Sequence, residues 1–284
     1  MPLPMYKDDD SQEPMMDVGI CLAIAAGKGG VGKSSLTVNL AQALHRKGYR
    51  VGIMDVDVYG PSMRRMLPED RLPSQKGDLY YPALSRGISM ISMAYFRKEH
   101  EASAVRAPIA NGIVLQFVQK VVWGKLDYLL IDFPPGTGDI QLSVCQQIPI
   151  TAGIMITTPQ EVAMMDVRKA INFFDQLNVP ILGIVENMSY YDHPCCGERV
   201  HLFGKDGGKR LAQEAGLPFL GEIPIDPKIC QSGDEGTSLF ENAETLTAAS
   251  AFTRLTEEVN KHLKLLEHGS PEGLGQFELI WQEK

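Results

Sequence analysis

The 284-residue sequence is short of cysteine, of basic charge and of long apolar runs, and each shortage closes off a class of protein. Its five cysteines are Cys21, Cys145, Cys195, Cys196 and Cys230. An odd number of thiols in such a chain fits a reducing compartment better than a disulfide framework, and a cytoplasmic location is expected. Lys and Arg total 27 against 35 Asp and Glu, for a net charge of −8. Nucleic-acid phosphates are gripped by concentrated Lys and Arg, so no general nucleic-acid binding is expected. No apolar run approaches the roughly 20 residues of a membrane-spanning helix. Residues 1–17 carry Pro2, Pro4, Asp8, Asp9, Asp10 and Pro14, without the positive start and apolar stretch of a secretory signal. They read as a loose tail. Neither an internal repeat nor a low-complexity block is visible.

What is present is ordinary globular composition, 44% apolar and 22% charged, and enough chain for one large α/β domain with a small appendage. The most informative stretch is Gly27-Lys28-Gly29-Gly30-Val31-Gly32-Lys33-Ser34, followed by Ser35. Glycines let successive backbone N–H groups curl around phosphate oxygens, and Lys33 adds a point charge. Lys28 is a second lysine where one suffices, which suggests a nucleotide held by a partner subunit. The flanking pattern agrees. Gly19–Ala25 reads as a strand, Lys33 to about Lys47 as a helix with Leu36, Leu40, Ala43 and Leu44 on one side, and Arg50–Met54 as the next strand.

Ser34 is expected to place its hydroxyl on Mg²⁺, and Ser35 to reach an α-phosphate. Asp132, after the apolar strand Leu126–Ile131, is the expected acid of the magnesium–water shell. Asp55 and Asp57 close the second strand; alternation would send both side chains the same way if the strand ran through both. Asp57 is then expected to orient the attacking water and Asp55 to lie nearer the metal, since phosphoryl transfer needs charge neutralisation and an in-line water.

Further along, residues 60–86 read as a long loop and Gly87–Ala94 as a strand. A helix is predicted over Ala110–Val122 and a strand over Ala152–Thr157, then a helix over Glu161–Leu177 and a strand over Pro180–Val185. Ser189–Gly204 reads as irregular and cysteine-bearing. A short helix (Gly207–Ala215), a strand-like Phe219–Ile223 and a closing amphipathic helix over residues 243–266 complete the pattern. The last residues, ending in Phe277–Trp281, suggest an edge strand. These crossovers predict an open, mostly parallel sheet flanked by helices on both faces, with ligands outside the carboxyl ends of the strands. The expected units are a tail (1–17), an ATPase domain (18–266) with a metal-binding loop (189–204), and an extension (267–284).

The phosphate loop, Asp55-Val56-Asp57-Val58-Tyr59-Gly60-Pro61-Ser62, Asp132-Phe133-Pro134-Pro135-Gly136-Thr137-Gly138-Asp139, Thr158-Pro159-Gln160 and Glu186-Asn187-Met188-Ser189 together resemble the Mrp/NBP35 (ApbC) family of P-loop ATPases that carry iron–sulfur clusters. The resemblance covers roughly residues 18–265 and extends to the wider deviant-Walker group. It implies a homodimeric ATPase using ATP and Mg²⁺, with scaffold and acceptor apoproteins as partners. Lys28 resembles the lysine that crosses to the partner's phosphates, and Asp57 the first-switch aspartate near the attacking water. Asp132–Gly136 resembles the second switch, and Asn187 the asparagine that recognises adenine, with Pro224 to Asp226 beside the base. An amide can pair with both the donor and the acceptor of the adenine edge.

In that family two cysteines separated by two residues, one of them proline, are contributed by each subunit to a shared cluster, expected as four-iron. This chain reads Asp192-His193-Pro194-Cys195-Cys196-Gly197 instead, so His193 stands at the first cysteine position and Cys196 at the second. Three alternatives follow: His193 with Cys196 as ligands, Cys195 with Cys196, or a segment that has lost its cluster. Soft thiolates suit zinc as well as iron–sulfur clusters. A positioning ATPase and a nucleotide-dependent zinc scaffold are the competing functions.

Overall fold

Strand β1 (Asp17–Ala26) shows how the layers are built: Leu22 and Ile24 enter one apolar cluster, while Cys21, Ala23 and Ala25 enter another on the opposite face. Side chains of a strand alternate between faces, so a strand apolar at every position is buried on both. The computed structural model describes residues 17–58, 60, 62–96, 107–193, 195–241 and 247–268.

After β1 the order is α1 (Lys33–Arg46), β2 (Val51–Asp55), α2 (Met63–Met66), β3 (Ser74–Lys76), β4 (Leu79–Tyr81), β5 (Ala83–Ser85), β6 (Ile88–Ser92) and a 3₁₀ turn (Met93–Phe96). Then come α3 (Ala107–Lys120), β7 (Lys125–Asp132), α4 (Asp139–Gln147), β8 (Ala152–Thr157), α5 (Glu161–Gln176) and β9 (Ile181–Glu186). The chain continues through β10 (Tyr191–Asp192), β11 (Arg199–Val200), α6 (Gly207–Glu214), β12 (Phe219–Glu222), α7 (Pro227–Glu235) and α8 (Thr247–His268). Eight strands form one sheet in the order β12-β9-β8-β1-β7-β2-β6-β5, parallel throughout except for the β5–β6 pair. Helices α1 and α8 cover one face through Leu36, Leu40, Leu44, Phe252 and Leu255. Helices α3, α4, α5 and α6 cover the other through Phe117, Val144, Phe174 and Leu211.

The expected α/β architecture is therefore present, with four local corrections. Residues 60–86 are not one long loop: they hold α2, the β3–β4 hairpin and the antiparallel edge strand β5. Ser189–Gly204 is not wholly irregular, because β10 and β11 pair as a hairpin. Helix α4 was not expected; its nine residues bury only Ile140, Gln141 and Val144, too short a stripe to show as periodicity. Nor was α7, although Asp226 caps it, Pro227 opens it and Gly236 closes it at φ 67°. The proposed tail before Asp17, Pro194 and the suggested edge strand near Phe277–Trp281 lie outside the described residues.

Parallel pairing aligns the functional positions. Asp132 stands opposite Asp55 and Ile24, Asp55 opposite Ser92, and Thr157 opposite Glu186. Asp55, Ser92, Asp132, Thr157 and Glu186 are each the last residue of their strand, at the carboxyl edge of the sheet, where open α/β sheets bind ligands.

Candidate functional site

The phosphate loop leaves β1 and enters α1 with its amides exposed. Gly30 and Gly32 hold φ of 82° and 88°, a region that side-chain-bearing residues seldom occupy. Gly27 answers a different need: a Cβ there would lie 2.2 Å from the backbone carbon of Asp166 in α5. Helix α1 starts at Lys33 with neither a side-chain cap nor an acid in its first turn. Its first N–H groups are thus available to an anion, and the helix dipole favours one. Above them lies a cavity of about 510 Å³ whose walls include Lys28, Gly29, Gly30, Lys33, Ser34, Ser35, Asp57 and Pro135. Among the described residues Lys28 makes no ion pair, so its ammonium remains at the cavity wall.

Beneath the loop two carboxylates share one ammonium, and a third lies behind them. Lys33 Nζ is 2.8 Å from Asp132 Oδ2 and 3.6 Å from Asp57 Oδ2. Asp132, fully buried, also accepts from Ser34 Oγ at 2.7 Å and from Thr37 Oγ1 at 2.8 Å. Strand β2 stops at Asp55, so Asp55 and Asp57 do not point out together as continued alternation would have it. Asp55 lies behind, fully buried, accepting from Ser92 Oγ at 2.6 Å and from the Asp57 N–H at 3.0 Å. Burial, then the nearby Asp132 charge, push its pKa up to about 7, against the hydrogen bonds of Ser92 and Asp57. Asp57 is thereby aimed at the cavity, with its Oδ1 accepting from the Gly60 N–H.

These donors fit a magnesium nucleotide. Mg²⁺ takes one or two protein oxygens and completes its shell with phosphates and water, so no dense carboxylate cage is needed. Ser34 and Asp132, already in contact, would supply those oxygens. Ser35, expected at an α-phosphate, lines the same cavity and donates to Met66 Sδ at 3.7 Å.

Two residues unnoticed in the sequence complete the site. Thr37 holds the second oxygen of Asp132. Gln141, 2% exposed, clamps the loop after Asp132: its Nε2 donates to the Pro134 and Gly136 carbonyls at 2.8 and 2.9 Å, and its Oε1 accepts from Gly138 N–H at 2.7 Å. A glutamine three residues after a helix-capping position was the available signal.

Asn187 reaches back to the loop, its Nδ2 donating to the Val31 carbonyl at 2.8 Å, while its own N–H donates to Thr157 O. Pro224 and Asp226 flank Ile225, whose N–H is tied to Tyr190 O, and Asp226 caps α7. None of these three lines the phosphate cavity. From Asn187 the chain passes Met188, at φ 53°, and Ser189, whose hydroxyl donates to the buried Glu186 carboxylate. It then enters the β10–β11 hairpin, steadied by an Arg199–Asp192 pair and by the Arg199 guanidinium 3.5 Å over the Tyr190 ring.

The hairpin tip carries the expected metal ligands. Cys195 and Cys196 are exposed, and Cys196 Sγ lies 3.3 Å from His193 Nδ1. The other thiols are poorly suited to ligation, which requires thiolate. Burial pushes Cys21 up to about 12 and Cys145 up to about 11; Cys230, hydrogen-bonded to Asp234, is also raised. Among the described residues no three His, Cys, Asp or Glu side chains converge as a metal site within one protomer.

With this geometry in place, the comparisons decide the family. The model of the NUBPL iron-transfer P-loop NTPases, within the ParA group, matches residues 17–260. The chain belongs to this family. Among its relatives, the mouse iron–sulfur cluster transfer protein NUBPL is 40% identical over 256 residues, 89% of this chain and 80% of that one. An iron–sulfur cluster carrier protein of Methanocaldococcus jannaschii is 43% identical over 234 residues, 81% of each. Among solved structures, a nucleotide-binding protein of Archaeoglobus fulgidus in complex with ADP superposes with a TM-score of 0.70 at 36% identity, over 84% of this chain and 93% of that one. The fold and the phosphate loop are those of a P-loop NTPase.

Proposed function

We propose that this protein is an ATP-hydrolysing carrier that binds iron–sulfur clusters and transfers them to apoproteins. The observation that carries the reading is structural continuity. One short segment runs from the phosphate loop, through the Asn187–Val31 hydrogen bond, to the hairpin bearing His193, Cys195 and Cys196. A nucleotide-dependent movement of the loop has a direct mechanical route to the metal ligands.

In this reading residues 18–266 work as one ATPase domain. The triphosphate lies in the glycine cradle, where Lys33 leaves its carboxylates for phosphate oxygens. Ser34 and Asp132 hold Mg²⁺, which neutralises charge on the transferring phosphoryl group. Asp57 orients the attacking water. Asn187 keeps one amide hydrogen on Val31 and offers the rest of the amide to adenine, beside Pro224 and Asp226. Lys28 reaches the phosphates of a second copy, so nucleotide binding and dimerisation are linked. That second copy also supplies the ligands that one protomer lacks, placing the cluster between two hairpins. Hydrolysis relaxes the loops after Asp57 and Asp132 and alters exposure of the cluster, a coupling between distant sites. Turnover is slow, and the carrier works in the cytoplasm between a cluster scaffold and acceptor apoproteins. Among the described residues no helix is long and apolar enough to cross a membrane.

The test is ATP hydrolysis and cluster transfer in parallel. Lys33→Ala and Asp57→Ala are expected to lose hydrolysis, and Cys196→Ala to lose cluster retention while keeping ATP binding. Normal hydrolysis in both loop variants would overturn the nucleotide assignment.

A further inference from the structure

One fully buried acid takes no part in the chemistry above. Glu186 ends β9 and makes no ion pair among the described residues. A carboxylate buried without a cation is costly unless its oxygens are hydrogen-bonded, and here each oxygen has its own donor. Oε1 accepts from Ser189 Oγ at 2.5 Å, and Oε2 accepts from the N–H of Gly208, the second residue of α6. Helix α6 has no side-chain cap from its own N-cap residue Asp206. The Glu186 carboxylate serves in its place, at the end of the helix where the dipole favours negative charge. A Cβ on Gly208 would stand 3.0 Å from Glu186 Cβ and 3.2 Å from Oε2, so glycine lets the helix start this close.

The two donors bracket the cysteine hairpin. Ser189 stands where the chain leaves the sheet for β10, and Gly208 where it re-enters helix after β11. His201 Nδ1, 3.0 Å from the Ser189 carbonyl oxygen, ties the returning stem to the same point. The Ser189–Glu186 bond also closes the turn Glu186-Asn187-Met188-Ser189, in which Met188 holds φ 53° and Asn187 donates to Val31 of the phosphate loop. Backbone bonds fix the turn to the neighbouring strands, Asn187 N–H on Thr157 O and Ser189 N–H on Ile223 O. The carboxylate alone joins that turn to the start of α6. A displacement of Asn187 therefore loads the Ser189 bond, and through one carboxylate the load reaches both stems of the hairpin.

We infer that Glu186 is a positioning residue that couples Asn187 to the cysteine hairpin, so that a nucleotide moving Asn187 re-aims Cys195 and Cys196 as one body. This rests on the carrier reading, in which Asn187 meets the nucleotide, and names the side chain through which that contact is transmitted. The carboxylate touches neither nucleotide nor metal. It acts by holding two backbone stems in one fixed relation to the turn, a contiguous bonded network between two sites.

The test uses the full-length protein, reduced and free of metal, because Cys195 and Cys196 are exposed and report on the hairpin directly. It is alkylated with iodoacetamide with and without Mg²⁺-ATP, modification of the two cysteines is followed by peptide mass spectrometry, and ATP affinity is measured by calorimetry. In the wild type, Mg²⁺-ATP is expected to change the alkylation rate several-fold. Glu186→Gln keeps the shape but accepts through one oxygen only, so one stem is released; the effect of nucleotide should vanish while ATP affinity holds. Ser189→Ala removes the exit arm alone, should do the same, and decides the matter if Glu186→Gln does not fold. A purely structural loss would shift the rates with and without nucleotide alike and leave their ratio standing. A wild-type ratio in either folded variant, or loss of ATP affinity in Ser189→Ala, would overturn the clamp and leave the carrier reading intact. A wild type that binds ATP with no change in alkylation would overturn the clamp and the mechanical route together, and a wild type that binds no ATP would overturn the carrier reading itself.

Discussion

Lys33 is held by two acids at the foot of the phosphate loop: its ammonium is 2.8 Å from Asp132 and 3.6 Å from Asp57, and the side chain is 7% exposed. A phosphate-binding lysine parked on carboxylates keeps those carboxylates from repelling one another before the nucleotide arrives. Lys33→Ala is therefore expected to do two things at once. It should abolish measurable ATP binding by calorimetry. It should also lower stability by about 3–5 kcal/mol, the usual cost of stranding a buried charge. Adding Asp132→Asn should restore much of the melting temperature without restoring binding.

The glycines of the loop separate folding from binding. Gly27→Ala would put a Cβ 2.2 Å from the Asp166 backbone, so α5 must shift; a loss of about 1–3 kcal/mol in denaturant titration is expected. A Cβ at Gly29 meets open space in the cavity instead. Gly29→Ala should melt like the wild type and bind ATP more weakly.

Gln141 ties three backbone groups of the loop that follows Asp132. Gln141→Ala frees the buried Pro134 carbonyl, worth about 1–3 kcal/mol if left unpaired, and the half-buried Gly136 carbonyl. Steady-state hydrolysis is expected to fall roughly ten-fold, the equivalent of about 1.4 kcal/mol of barrier, with KM for ATP little changed. A rise in KM at constant kcat would show that the clamp serves binding instead.

Asp55 predicts a pH dependence in the nucleotide-free protein. Its folded pKa, about 7, is above the unfolded aspartate value of 3.8, so the folded state holds this proton more tightly. Its contribution is fully present at pH below the unfolded value and is lost as pH rises through about 7. Asp55→Asn keeps the shape and stays neutral. Chemical denaturation across pH 4–8 should show a shallower decline in stability for the variant than for wild type; parallel curves would contradict the assignment.

How much of this was legible in the sequence follows from which interactions are local. The phosphate loop, β1, β2 and α1 were readable because glycine spacing and apolar periodicity are local signals. The clustering of Asp55, Asp57 and Asp132 followed once the strands were ordered, but their division of labour did not. It depends on Ser92, 37 positions away from Asp55, and on strand β2 ending where it does. Gln141 acts within a short helix whose apolar stripe is too brief to announce itself. At the hairpin the sequence left three ligand sets open; the fold adds that Cys196 Sγ lies 3.3 Å from His193 Nδ1 and that Cys195 and Cys196 are both exposed.

The most direct measurement is transfer itself. The protein, loaded anaerobically with iron and sulfide and freed of excess reagent, is mixed with an apo-ferredoxin, with and without Mg²⁺-ATP and in the presence of an iron chelator. The ferredoxin spectrum is expected to develop despite the chelator, at a rate that nucleotide changes, and Cys196→Ala is expected to abolish it. No transfer from the loaded protein, or transfer that the chelator intercepts completely, would contradict the carrier function.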